Sequence, residues 1–110
     1  MPEKVKDFKS KIRKADAILI ATPEYNYSVP AVLKNAIDSA TRPYGDNPFN
    51  EKPVAIMSAS VGMLVGARAQ YHLRQIFVYL NMHPINGPEV IVPFAQNKFD
   101  TNGNLVDENT

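Results

Sequence analysis

The residues best equipped for chemistry lie in two short stretches. The first, TPEYNYSVP over residues 22–30, carries Glu24, Tyr25, Asn26, Tyr27 and Ser28 directly behind an apolar run, ADAILIA. Tyrosine and glutamate are poor turn residues, so this loop holds them for some other purpose. Tyr25 and Tyr27 offer flat apolar faces with hydroxyl groups. Asn26 offers two donors and an acceptor, enough to read an amide-like edge. The second stretch, SASVGMLVG over residues 58–66, has glycines at 62 and 66 that let backbone N–H groups approach a neighbour closely. Rings, an amide and exposed N–H groups suit a planar heterocycle with carbonyls and ring nitrogens. An isoalloxazine fits that description, and so do other planar ligands. A plainer reading of the same residues makes the tyrosines loop anchors and Glu24 a charge set against a helix N-terminus rather than a catalytic base.

Bulk properties narrow the field. A chain of 110 residues predicts one domain with a modest core. A net charge of +1 gives no electrostatic case for nucleic acid or a membrane surface. The basic run from Lys4 to Lys14 reads as the solvated face of a helix. No cysteine is present, which excludes disulfides, iron–sulfur clusters, thiolate zinc sites and a cysteine nucleophile. His72 and His83 are too far apart for a helical metal pair, and no carboxylate stands at ligand spacing from either, so no metal is expected. No apolar stretch is long enough to span a bilayer and Met1 opens no signal-peptide pattern, so the expectation is a soluble cytoplasmic protein.

The loops need elements to position them. Val5, Phe8 and Ile12 recur at helical steps and predict an amphipathic helix of about three turns. AILIAT, residues 17–22, predicts a strand buried on both faces. Residues 31–41 predict a helix with Val32, Leu33, Ala36, Ile37 and Ala40 on one side, Ser28 as its cap and Pro30 in its first turn. Residues 42–53 are dense in turn formers and read as a surface loop. VAIMSAS, residues 54–60, is the next strand. A long helix over residues 67–82 follows, with Ala69, Leu73, Ile76, Phe77 and Leu80 inward, and EVIVP, residues 89–93, is a third strand. The tail is polar, with an Asn-Gly turn. The order α, β, α, β, α, β makes two consecutive βαβ units. In such sheets ligands sit beyond the carboxyl ends of the strands, where both unusual loops lie.

ADAILIATPEYNYSVPAVLKNAIDSATRP, KPVAIMSAS.GM..GARAQYHLRQ, LNMHPINGPEV and NKFD.NGNL.DE together carry a family likeness from about residue 2 to residue 110. The chain resembles the NADPH-dependent FMN reductase family, in the branch of quinone, chromate and azo-dye reductases. The resemblance implies a flavodoxin-like three-layer α/β/α sandwich with a parallel sheet. It implies FMN and NAD(P)H as cofactors, with a hydride passing to flavin N5 and two electrons then passing to a quinone, azo compound or similar small acceptor. It implies that Pro23, Glu24, Tyr25, Asn26 and Ser28 cradle the flavin ring, and that Ser60, Gly62 and Gly66 meet its edge. Arg68 and Tyr71 would face a neighbouring subunit near its flavin, in a homo-dimer or homo-tetramer. No side chain is implied as a catalytic acid or nucleophile, since the cofactor carries the chemistry.

Two departures bear on that expectation. Val65 stands where the family commonly has glycine, and a positive φ there would strain a β-branched residue. The chain also lacks the family's first two strands, the phosphate-binding loop between strand and helix, and most of the last helix. AILIAT then becomes an exposed sheet edge, and the FMN phosphate loses its anion nest. A fragment with an internal Met1, a strand supplied by a second copy or another chain, and a reduced protein with a different job are the explanations. The alternative function is a non-catalytic fragment of the family that oligomerises and binds FMN weakly or not at all.

Overall fold

Lysines interleaved with Val5, Phe8 and Ile12 form α1, Glu3–Lys14, in a computed structural model that describes residues 1–110. Ile18–Ala21 form β1 and Ala31–Ala40 form α2. Pro53–Ala59 form β2 and Ala67–Leu80 form α3. Two short strands follow, β3 at His83–Pro84 and β4 at Val90–Val92, and then a 3-10 turn at Ala95–Asn97. No helix is long and apolar enough to cross a membrane.

All strand pairing is parallel, and β2 is the axis of the sheet. On one side β1 runs from Ile18 opposite Val54 to Ala21 opposite Met57. On the other side β3 meets the start of β2 and β4 meets its end. The register passes from His83 opposite Pro53 to Val90 opposite Met57, so seven residues span four of β2 and the excess bulges out. The expected third strand is therefore the second half of an interrupted one. Its first half, His-Pro, has no apolar run to announce it.

Side chains alternate across a strand, so one face of the sheet can be read directly. Ile20, Val54 and Ile56 share a face and pack with Ile12, Ile37, Ala40, Leu73, Phe77 and Leu80 in one cluster. All three helices thus lie in a single layer. On the opposite face Leu19 is 64% exposed, and Ala21, Met57 and Ala59 are also open. The expectation that β1 is buried on both faces is corrected: no helix covers the second face, and β1 forms the free edge of the sheet. The parallel flavodoxin-like layering is present, with two of the sandwich's three layers built by this chain. The radius of gyration, 15.5 Å, exceeds the roughly 13 Å of a compact chain this long, as a half-covered sheet with a polar tail requires.

Several smaller expectations are also revised. Val32 is exposed on the outer side of α2. Helix α2 starts after Pro30, whose carbonyl accepts the Lys34 N–H, and Ser28 does not cap it. Helix α3 stops at Leu80 because Asn81 turns left-handed at φ 55°. The loop over residues 42–52 is not all surface, since Phe49 inserts into the core.

The basic face of α1 is not wholly solvated either. Lys9 is buried, and its ammonium donates to the Arg42 carbonyl at 2.6 Å and to Asp46 Oδ2 at 2.6 Å. Asp46 is also held by Arg13. Burial, and secondarily the nearby Arg13 charge, lower the Lys9 pKa from its ordinary value. The pattern was available: Val5, Lys9 and Ile12 fall one above another on the inward stripe of the helix. Lys9 therefore pins α1 to the 42–52 loop. Lys9→Ala is expected to cost about 1–3 kcal/mol, because it strands the Arg42 carbonyl and takes from Asp46 one of its two cations, whereas Lys6→Ala on the solvent side stays within about 0.5 kcal/mol. Urea unfolding of the two variants beside the parent checks this; equal midpoints would show that the buried ammonium does not hold the loop.

Candidate functional site

Parallel pairing of β1 with β2 sets the loops that follow them side by side at the carboxyl end of the sheet. Between them lies a cavity of about 520 Å³. Pro23, Glu24 and Tyr25 line it from the first loop, Ser60, Gly62 and Gly66 from the second, and Arg68 from the start of α3. Asn26, Ser28 and Tyr71 are not among its lining residues. An apolar hollow of about 380 Å³, bordered by Ala21, Met57, Val90 and Val92, opens on the uncovered sheet face. It offers little beyond aliphatic carbon and marks an unfilled layer rather than a place for polar recognition.

The first loop is a tight hairpin. Tyr25 and Ser28 exchange backbone hydrogen bonds, each 3.0 Å. The two residues between them have positive φ, 49° at Asn26 and 71° at Tyr27. That is the backbone demand of the turn type that best suits a two-residue hairpin, and asparagine tolerates it better than most side chains. Asn26 thus has a conformational role in the turn. Tyr27 is a costlier choice, and its ring is held by the Arg68 guanidinium, 3.5 Å from the ring centroid. Ser28 Oγ lies 2.7 Å from His72 Nδ1, so it ties the hairpin to α3.

Glu24 completes the tie. Its Oε1 accepts the Ala69 N–H at 3.0 Å and its Oε2 accepts the Arg68 Nε–H at 2.7 Å. One of the orphan donors at the start of α3 is thereby satisfied, and a negative charge sits at the positive end of the helix. Burial opposes ionisation of Glu24, but the hydrogen bonds from Arg68 and Ala69 outweigh it and hold the carboxyl below the usual range. The same bond raises the Arg68 pKa. Tyr71 lies outward on α3, where its hydroxyl donates to Glu89 at 2.9 Å and its pKa rises for that reason.

The second loop owes its shape to what lies beneath it. Gly66 has φ 84°, and a Cβ there would stand 2.8 Å from Ser58 Cβ and Oγ, so glycine is required. Val65 has φ 54°, the strained conformation expected of it. Its carbonyl accepts the buried Ser58 hydroxyl at 2.6 Å, and Ser58 in turn accepts from Gln70 at 2.8 Å. Sequence reasoning passed over Ser58 and Gln70. Gln70 could have been found, since residues 70, 73 and 77 form one inward stripe on α3 and glutamine there demands a partner.

The profile of the NADPH-dependent FMN reductase family matches residues 1–97. The chain is 57% identical over 107 residues to an NAD(P)H-dependent FMN reductase of Pseudomonas aeruginosa, covering 97% of this chain and 57% of that protein. It is 47% identical over 109 residues to a 2-hydroxy-1,4-benzoquinone reductase of a Burkholderia species, covering 99% and 60%. Among solved structures, the flavoenzyme NAD(P)H:(acceptor) oxidoreductase FerB of Paracoccus denitrificans superposes with a TM-score of 0.89 at 38% identity, covering 98% of this chain and 59% of that one. The chain thus spans somewhat more than half the length of these relatives.

The Glu24 tie sets a pH signature. Its folded pKa lies below the unfolded value of about 4.3, so its stabilisation is complete above that pH and is lost as pH falls through the folded value. Glu24→Gln is expected to cost about 1–3 kcal/mol at pH 7. The gap from the parent should narrow steadily as the pH drops below about 5. Urea midpoints across that range test it, and a gap independent of pH would remove the ionised cap.

Proposed function

The chain belongs to the NADPH-dependent FMN reductase family, and we propose that it provides the flavin-ring half of an NAD(P)H-dependent FMN oxidoreductase with a quinone, azo compound or similar small acceptor. The single observation that carries this reading is the cavity shared by the two strand-end loops. Its volume falls within the range of cofactor clefts, and its lining mixes one exposed ring with backbone donors. Those residues fit a planar ring. They do not fit a phosphate equally well, because the one cation lining the cavity, Arg68, is already committed to Glu24 and Tyr27.

A bound flavin would supply the redox chemistry between NAD(P)H and the acceptor, and Pro23, Tyr25, Ser60, Gly62 and Gly66 would hold its ring. The chain's own residues bind and orient. Tyr25, 62% exposed at the rim, presents a face for stacking. Pro23 and the Glu24 backbone form one wall, and Ser60, Gly62 and Gly66 form the other. The Ser60 hydroxyl accepts the Gly62 N–H at 3.1 Å and so fixes that wall. Asn26 and Ser28 hold the hairpin and thereby the angle of Tyr25. No side chain is assigned a proton transfer. Tyr71, Val78 and Tyr79 are exposed on the outer side of α3, which supports assembly with further copies through that helix, as a homo-dimer or homo-tetramer.

Titrating the chain into FMN, and separately into riboflavin, with flavin fluorescence as readout, tests the proposal. Saturable quenching at low-micromolar protein is expected for both, with affinities within about threefold of each other because the ring rather than the phosphate is held. Tyr25→Ala should weaken both by about tenfold. NAD(P)H oxidation with benzoquinone should then exceed that of free FMN. No quenching by the parent chain would sink the reading in favour of a non-catalytic member of the family.

A further inference from the structure

We propose that Ser58 and Gln70 are positioning residues that aim the Gly66 N–H into the cavity as a fixed donor for an acceptor atom of the bound ring; this rests on the flavin reading above. Both side chains are buried, at 5% and 1% exposure, in a core that is otherwise almost wholly apolar. Apolar residues of similar size would pack there without needing partners. Every side-chain donor of the pair is used instead. Gln70 Nε2 donates to Ser58 Oγ at 2.8 Å and to the Val90 carbonyl at 3.0 Å. Ser58 has a single hydroxyl hydrogen, and it goes to the Val65 carbonyl at 2.6 Å. The Gln70 backbone N–H holds the Gly66 carbonyl at 2.9 Å, so one residue grips the loop on both sides of Gly66.

The consequence follows from the planarity of the peptide. In a trans peptide the carbonyl of Val65 and the N–H of Gly66 point in opposite directions. The carbonyl is drawn down onto β2 by Ser58, so the N–H is turned up, away from the sheet and toward the cavity that Gly66 lines. The Gly66 N–H has no acceptor within the chain. A donor locked in advance, without a partner of its own, loses little order when a ligand acceptor arrives. The left-handed Val65, an unfavourable residue for that backbone, is what the Ser58 bond holds in place.

The test follows the Gly66 amide by proton–nitrogen NMR in the full chain while riboflavin is added, for the parent, Ser58→Ala, Gln70→Met and Leu80→Ala. Leu80→Ala is the control, a core truncation at the far end of α3. In the parent the Gly66 amide should move downfield on binding. Ser58→Ala should abolish that movement and weaken binding by about tenfold. Gln70→Met, which keeps the Ser58–Val65 bond but frees Ser58 to rotate, should do the same to a smaller extent. Leu80→Ala should lose stability yet keep both the movement and the affinity. If Ser58→Ala does not fold, Gln70→Met decides alone. Riboflavin binding that leaves the Gly66 amide unmoved, or parent-like affinity in the serine and glutamine variants, overturns this proposal and leaves the flavin reading standing. Absence of riboflavin binding by the parent overturns both.

Discussion

The carboxylate of Glu24 is the contact on which the site depends. It leaves the loop after β1, crosses to the first turn of α3 and takes up both an orphan backbone N–H and the Arg68 guanidinium. Without it the two strand-end loops would be neighbours only by the register of β1 on β2. With it, the helix that closes the second loop is fastened to the first. Arg68 then reaches on to the Tyr27 ring, and His72, one turn later, reaches Ser28. One face of a single helical turn thus organises the whole hairpin. A lowered carboxyl pKa is the electrostatic mark of that arrangement.

The sheet imposes a second constraint. Its helices cover one face, and only 20 of the 110 residues are buried. Apolar burial on one side must therefore supply most of the driving force, and polar ties must take up what a second layer would otherwise fix. Lys9 against the 42–52 loop, Glu24 against α3 and Ser58 against Val65 are such ties. Each crosses between elements far apart in sequence, and each is shielded enough from water to matter. The open face and the free edge of β1 are the counterpart: Leu19, Met57 and Val90 are apolar surface that a covering partner would bury.

Much of this was legible in the sequence, and the reasons differ from element to element. The βαβ order could be read because AILIAT and VAIMSAS are unbroken apolar runs and the segments between them carry helical spacing. The pairing of the two strand-end loops followed from strand parallelism alone. What escaped was what depends on neighbours. Lys9 looked solvated because its type outweighed its position on the stripe. The bare face was misread because an apolar run says that a strand can be buried on both sides, not that something is there to bury it. β3 escaped because a His-Pro pair joins the sheet through register, with no pattern of its own. Gln70 was passed over, although its spacing from Leu73 and Phe77 placed it inward.

The opening loop shows how residues of one short stretch divide its structural tasks. Its residue types allow two readings, recognition of a flat ring or plain anchoring with Glu24 set against a helix N-terminus. The structure divides them. Asn26 meets the backbone demand of a left-handed turn, Tyr27 and Ser28 anchor that turn to α3, and Glu24 caps the helix, which leaves Tyr25 as the ring that borders the cavity. On the flavin reading proposed above, recognition of the ring would rest on few side chains and on backbone made rigid by the others. Such a division suits a ring whose polar edge offers acceptors in one plane. Backbone donors fixed by buried partners can meet that plane with an accuracy that long, solvated side chains lose to their own rotamer freedom.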